Sequence, residues 1–125
     1  TEGIYYIAKF NLSDVTTSRF EVGLADNISG DLGMVLVKST PTHTGTDYAV
    51  MCFDTNDDTN VTFISAAAGA TGANADWTGT LVSGTDIIVE IVVRGAFTSG
   101  YINGQLVGGG AITPRGSFAT LAMFE

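Results

Sequence analysis

The chain is poor in cysteine, histidine, proline and basic residues, and each shortage excludes something. With one cysteine among 125 residues, Cys52, no internal disulfide can form. Cys52 alternates with Tyr48 and Val50, the pattern of a thiol facing a core rather than of a nucleophile. The one histidine, His43, lies in a Thr- and Pro-containing stretch with no Ser or Cys partner evident. Five Lys and Arg stand against 13 Asp and Glu, a net charge of −8. Nucleic acid is therefore not a partner, because phosphate binding needs clustered bases; the charge reads as solubility. No apolar run approaches the ~20 residues of a membrane-spanning helix, so no membrane partner is expected. Sustained helical periodicity is absent too. The Ala-rich run 65–75 is broken by Gly69 and Gly72, each costing about 1 kcal/mol relative to Ala in a helix. A loop or a marginal edge strand is expected there.

What remains is apolar, glycine-rich and alternating. Apolar residues make up 45% of the chain, enough for a single β domain with a real core. The sequence begins at Thr1 rather than Met, and the expectation is a processed chain or part of a longer polypeptide.

The clearest stretch is 86–108, DIIVEIVVRGAFTSGYINGQLVG. Ile87, Val89, Ile91 and Val93 point one way; Asp86, Ile88, Glu90, Val92 and Arg94 point the other. This period of two, carried by β-branched residues, predicts a strand. A corner at Arg94-Gly95 leads to a strand over 98–102, and Asn103-Gly104 predicts a two-residue hairpin turn into Gln105, Leu106 and Val107.

Earlier, 3–12 alternates Ile4, Tyr6, Ala8, Phe10 and Leu12 against Tyr5, Ile7, Lys9 and Asn11, and 13–18 is a polar turn. Over 19–25, Phe20, Val22 and Leu24 face inward, with Arg19 and Glu21 outward. Segment 33–38 reads as a short strand and 39–45 as a loop. Segment 48–54 is apolar on both faces, as expected of a covered central strand. Further strands are expected over 61–66, 80–82 and 118–124, with 108–116 as a connection. Nine or ten short strands argue for two packed antiparallel sheets, with the first and last strands in one sheet.

The apolar strand, short corner and YINGQLVG resemble the late hairpin of concanavalin A-like sandwiches. Phe20 to Asp26 (FEVGLAD), Tyr48 to Asp58 (YAVMCFDTNDD) and Trp77 are similar to sandwich domains of tailed-phage virion proteins. The resemblance implies an all-β, antiparallel jelly-roll-like sandwich. It also implies a structural, non-enzymatic virion protein, a capsid decoration or a fibre or tail domain, whose partners are other virion proteins or copies of itself.

Two groups are candidate sites. Asp54, Asn56, Asp58 and Asn60 have the 1, 3, 5, 7 spacing of a calcium loop. Position 6 is Thr59 rather than Gly and position 12 is Ser65 rather than Glu, so no metal or other cofactor is expected. The same residues are ordinary turn formers. With Asp57 and Trp77 they form a candidate ligand-binding loop for a surface glycan, the role expected of a lectin-like module. A lone Trp at a strand end also serves as a core anchor.

The glucanases of the superfamily carry paired carboxylates on one strand, where this chain has Glu90 alone between Ile88 and Val92, so no enzyme is expected. Phe118, Leu121, Met123 and Phe124 are the candidate assembly contact, because odd and even positions on a strand cannot share one core. Either a neighbouring subunit covers such surplus apolar faces or this chain's own loops do. Three Asn-X-Ser/Thr tripeptides, at Asn11, Asn27 and Asn60, would suit a third reading, an extracellular surface or filament subunit.

Overall fold

The computed structural model describes residues 3–27, 45–114 and 118–124, with backbone only for Leu121 and Met123. The expected strand over 33–38 and the loop carrying His43 lie outside the described residues.

Nine strands form two antiparallel sheets among the described residues. They are β1 (Gly3–Phe10), β2 (Arg19–Ala25), β3 (Tyr48–Asp54), β4 (Thr62–Ala67), β5 (Ala70–Asp76), β6 (Ile87–Arg94), β7 (Phe97–Ile102), β8 (Gln105–Ala111) and β9 (Ala119–Phe124). The four-stranded sheet runs β1-β6-β7-β8 and the five-stranded sheet runs β5-β4-β3-β2-β9. Every pairing is antiparallel.

The core lies between the sheets. Ile87, Val89, Ile91 and Val93 of β6 meet Phe20, Val22 and Leu24 of β2, Met51 and Phe53 of β3, and Phe63 of β4. The period-two pattern of β6 is therefore that of a half-buried strand: odd positions face the core and even positions are partly open or exposed.

The Asn103-Gly104 turn forms as expected, with φ of 49° and 81°. Both residues need positive φ, and Asn and Gly reach it most readily. Asn103 does more than turn the chain. Its amide N–H donates to the Ile88 carbonyl at 2.8 Å, and its side-chain oxygen accepts from the Ile88 N–H at 2.9 Å. The turn is thus pinned to the start of β6.

Several expectations are corrected. Segment 65–75 is a hairpin rather than a loop: β4 and β5 join through Ala68-Gly69, with φ of 50° and 83°, and β5 is an edge strand, the other of the two expected outcomes. Gly108, Gly109 and Gly110 are not a connection but part of β8. They extend the strand because β8 runs close against β5: a Cβ on Gly110 would stand 2.7 Å from the Ala73 nitrogen, and one on Gly108 would stand 2.7 Å from the Ala75 Cβ. Side chains there would force the two sheets apart. Residues 80–82 are not a strand.

The first and last strands lie in different sheets: β1 pairs with β6 and β9 with β2. They still meet at one edge of the sandwich, where the Phe10 ring packs edge-to-face on both Phe20 and Phe124.

Glu21 is buried rather than outward. It lies on the second face of the five-stranded sheet, where Ala25, Tyr48, Val50, Cys52, Ile64 and Ala66 form another buried cluster. The apolar side chains on this side of β3 are buried as well. Cys52 is buried as expected, its thiol 3.5 Å from the Thr62 carbonyl.

One polar group in the core is costly. Thr98 Oγ1, on the core side of β7, is buried and has no hydrogen-bond partner among the described residues. An unsatisfied buried hydroxyl destabilises by about 1–3 kcal/mol. Thr98→Val keeps the branched shape and removes that penalty. The variant is expected to be more stable by about 1 kcal/mol, read as a higher urea midpoint at unchanged slope.

Candidate functional site

The residues of the expected ligand-binding loop are engaged mainly with one another. The Asp54 carboxylate accepts from the Asn56 N–H at 2.9 Å, and its carbonyl accepts from the Asp57 and Asp58 N–H groups at 3.0 and 3.1 Å. Asp54 also pairs with Arg19 at 3.5 Å. The Asp58 carboxylate accepts from the Asn60 N–H at 2.7 Å. These are the short-range bonds by which Asp and Asn build turns. Among the described residues no three His, Cys, Asp or Glu side chains could together hold a metal ion.

Trp77 packs against the core cluster, and its indole N–H donates to Gln105 Oε1 at 2.8 Å. Gln105 in turn donates to Thr78 Oγ1 at 3.0 Å. Trp77 is thus an anchor between the β5 end and the β7–β8 hairpin. Of the expected assembly residues, Phe118 packs on the core and Phe124 is exposed, though its ring touches Phe10. The backbones of Leu121 and Met123 pair with Gly23 and Glu21.

Sequence reasoning passed over a different surface, the open face of the four-stranded sheet. Pairing register puts three rows on it: Gly3, Arg94 and Phe97; then Tyr5, Val92 and Ser99; then Ile7, Glu90 and Tyr101. Tyr5, Ile7 and Phe97 are each more than half exposed. The signal was present in the sequence as the even positions of β6 and the odd positions of β1. What hid it was that a strand's outward face gives no clue to which outward residues of other strands lie beside it.

Small residues shape this face. A Cβ on Gly109 would lie 2.8 Å from Phe97 Cζ, so the ring lies against a bare stretch of β8. Val92, Arg94, Phe97, Ser99 and Tyr101 line a depression of about 280 Å³. A larger one of about 690 Å³ adjoins it, lined by Gly3, Ile4, Tyr5, Val92, Val93, Arg94 and Gly95.

The Tyr5 hydroxyl donates to the Glu90 carboxylate. Giving up that donated proton would break the bond, so the bond itself, then burial and the Glu90 charge, raise the Tyr5 pKa. At the far end of the face, Asp86 accepts from Asn11 Nδ2 at 3.1 Å and pairs with Lys9 at 3.5 Å; the first bond and then the Lys9 charge lower its pKa.

Chemically the face offers flat aromatic surfaces beside a fixed carboxylate, a guanidinium and a hydroxyl. Asp86 immediately precedes β6 and stands four residues from Glu90, roughly 13 Å along extended backbone. That exceeds the ~6.5–9.5 Å of a carboxylate pair acting on one glycosidic bond. The arrangement suits binding.

No protein-family model matches the chain, and no curated protein matches it. Solved structures do. A carbohydrate binding module, CBM66, from Bacillus subtilis superposes with a TM-score of 0.56 at 11% identity, covering 100% of this chain and 68% of that one. Sheep galectin-11, in complex with glycerol, aligns with a TM-score of 0.39 at 14% identity over 96% of both chains. The fold is an all-β antiparallel sandwich consistent with the jelly-roll, concanavalin A-like class.

Proposed function

We propose that this chain is a non-enzymatic carbohydrate-binding module of lectin type, working outside the cell or at a surface, and that its ligand lies on the open face of the four-stranded sheet. The observation that carries this reading is the aromatic set Phe97, Tyr101 and Tyr5 on an exposed sheet, interleaved with Arg94, Glu90 and Ser99. An aromatic face packs against the C–H face of a sugar ring, while fixed polar groups select hydroxyl positions. The fold likeness to a carbohydrate binding module supports it.

Phe97→Ser and Tyr101→Ser are expected to weaken glycan binding at least about tenfold each, as loss of a well-packed aromatic contact does. The measurement is a glycan array followed by calorimetry on the best ligand, with melting temperature as a folding control. Unchanged affinity in both variants would move the site elsewhere, and Asp57→Ala and Asp58→Ala test the loop with Asp54, Asn56 and Trp77. An array on which the native chain retains nothing would refute the reading.

A second reading is the virion one, a decoration or fibre domain contacting other virion proteins or copies of itself. It rests on the sequence resemblance and on Phe124, exposed at the edge strand β9. Here Phe118, Leu121, Met123 and Phe124 form the contact. Copurification with assembled particles, lost in Phe124→Ser without loss of folding, tests it.

A further inference from the structure

The two depressions on the open face share Val92 and Arg94, so Arg94 stands on the ridge between them. Its neighbours leave it room. Across one strand boundary is Gly3, where an added Cβ would lie 3.7 Å from Arg94 Cγ; across the other is Phe97.

Of the five basic residues in the chain, Lys9, Arg19 and Arg94 fall among the described residues. Lys9 pairs with Asp86 and Arg19 with Asp54, each at 3.5 Å. Among the described residues Arg94 has no carboxylate partner, in a chain with 13 acids to choose from. The nearest candidate on its own face is Glu90, which already accepts the Tyr5 hydroxyl.

A guanidinium is a planar fork of N–H donors that matches a carboxylate in two parallel bonds. A neutral sugar would meet only part of that donor capacity. From this we infer that, given the carbohydrate-binding reading above, the ligand is an acidic sugar whose carboxylate seats on Arg94 while its ring packs on Phe97 or Tyr101. The net charge of −8 narrows the class further. It repels densely charged polyanions at long range, so the ligand is a glycan with one or a few carboxylates, of the uronic or sialic type.

The experiment compares sialyllactose, a glucuronic acid-terminated disaccharide and lactose by calorimetry on the native chain, Arg94→Met and Arg94→Lys. At least one acidic sugar is expected to bind about tenfold or more tightly than lactose, and added salt should weaken only the acidic one. Arg94→Met should abolish the preference with an unchanged melting temperature, because the residue is exposed, and Arg94→Lys should restore part of it. Which acid binds identifies the source of the carboxylate. Lactose binding as tightly as both acids, or a preference that survives Arg94→Met, overturns the inference and leaves the carbohydrate-binding reading standing. No binding of any of the three, on an array that also retains nothing, overturns both.

Discussion

Replacing Gly100 with valine is expected to destabilise the domain by about 3 kcal/mol or more, lowering the melting temperature by about 10 °C. Gly100 sits on the core side of β7, opposite Gly108 of β8. The fully buried Phe63 ring of β4 lies against this glycine pair. A Cβ on Gly100 would stand 2.7 Å from Phe63 Cε2 and 2.8 Å from Cγ. Those are ring atoms packed between two sheets, not the end of a flexible chain, so they cannot yield without opening the sandwich. Gly100→Ala should show the same effect in smaller measure. Its cost should shrink when combined with Phe63→Leu, because the clash and the lost ring occupy the same space and do not add. Strict additivity of those two changes in urea unfolding would show that the glycine matters for some other reason.

Asp47→Ala is expected to cost a comparable amount, about 3 kcal/mol or more. Asp47 is buried at one end of the sandwich. Its Oδ1 accepts from the Ala68 N–H at 2.9 Å and the Thr113 N–H at 3.2 Å. Its own N–H donates to Asp26 Oδ1 at 3.2 Å, and its carbonyl accepts from the Asp26 N–H at 2.9 Å. One carboxylate therefore joins the start of β3, the β4–β5 turn and the segment that follows β8. Alanine would leave two backbone donors without their acceptor in a site closed to water. Asn keeps one oxygen and should cost clearly less. Chemical denaturation with all three proteins measures both steps. Hydrogen exchange gives a sharper view, since Ala68 and Thr113 amides should lose protection in Asp47→Ala before the strand amides do.

The same residue explains a turn the sequence concealed. Asn103-Gly104 is legible because Asn and Gly reach positive φ readily. Ala68-Gly69 makes a turn with the same signs of φ, yet Ala resists that region. The Ala68 N–H bond to Asp47 holds it there, across 21 positions in sequence. No local rule reports a partner that far away. Glu21 was misplaced for a related reason. Its alternation with Phe20 and Val22 is correct, but an outward face is polar only if water reaches it, and here that face is buried.

What the sequence determined by itself is local and periodic. Alternation in 87–94 settled which side of β6 is core, the doubly apolar 48–54 marked a central strand, and Asn-Gly placed the hairpin, because each depends on residues within a few positions. The all-β sandwich follows from those elements together. Only the tertiary structure decided which strands share a sheet, that three consecutive glycines lie in a strand against β5, and that Tyr5 lies beside Glu90 while Arg94 lies beside Phe97. Those outcomes rest on pairings between residues as far apart as Phe20 and Phe124, made where backbones approach closely and side chains from separate strands converge, and periodicity along one strand carries no information about them.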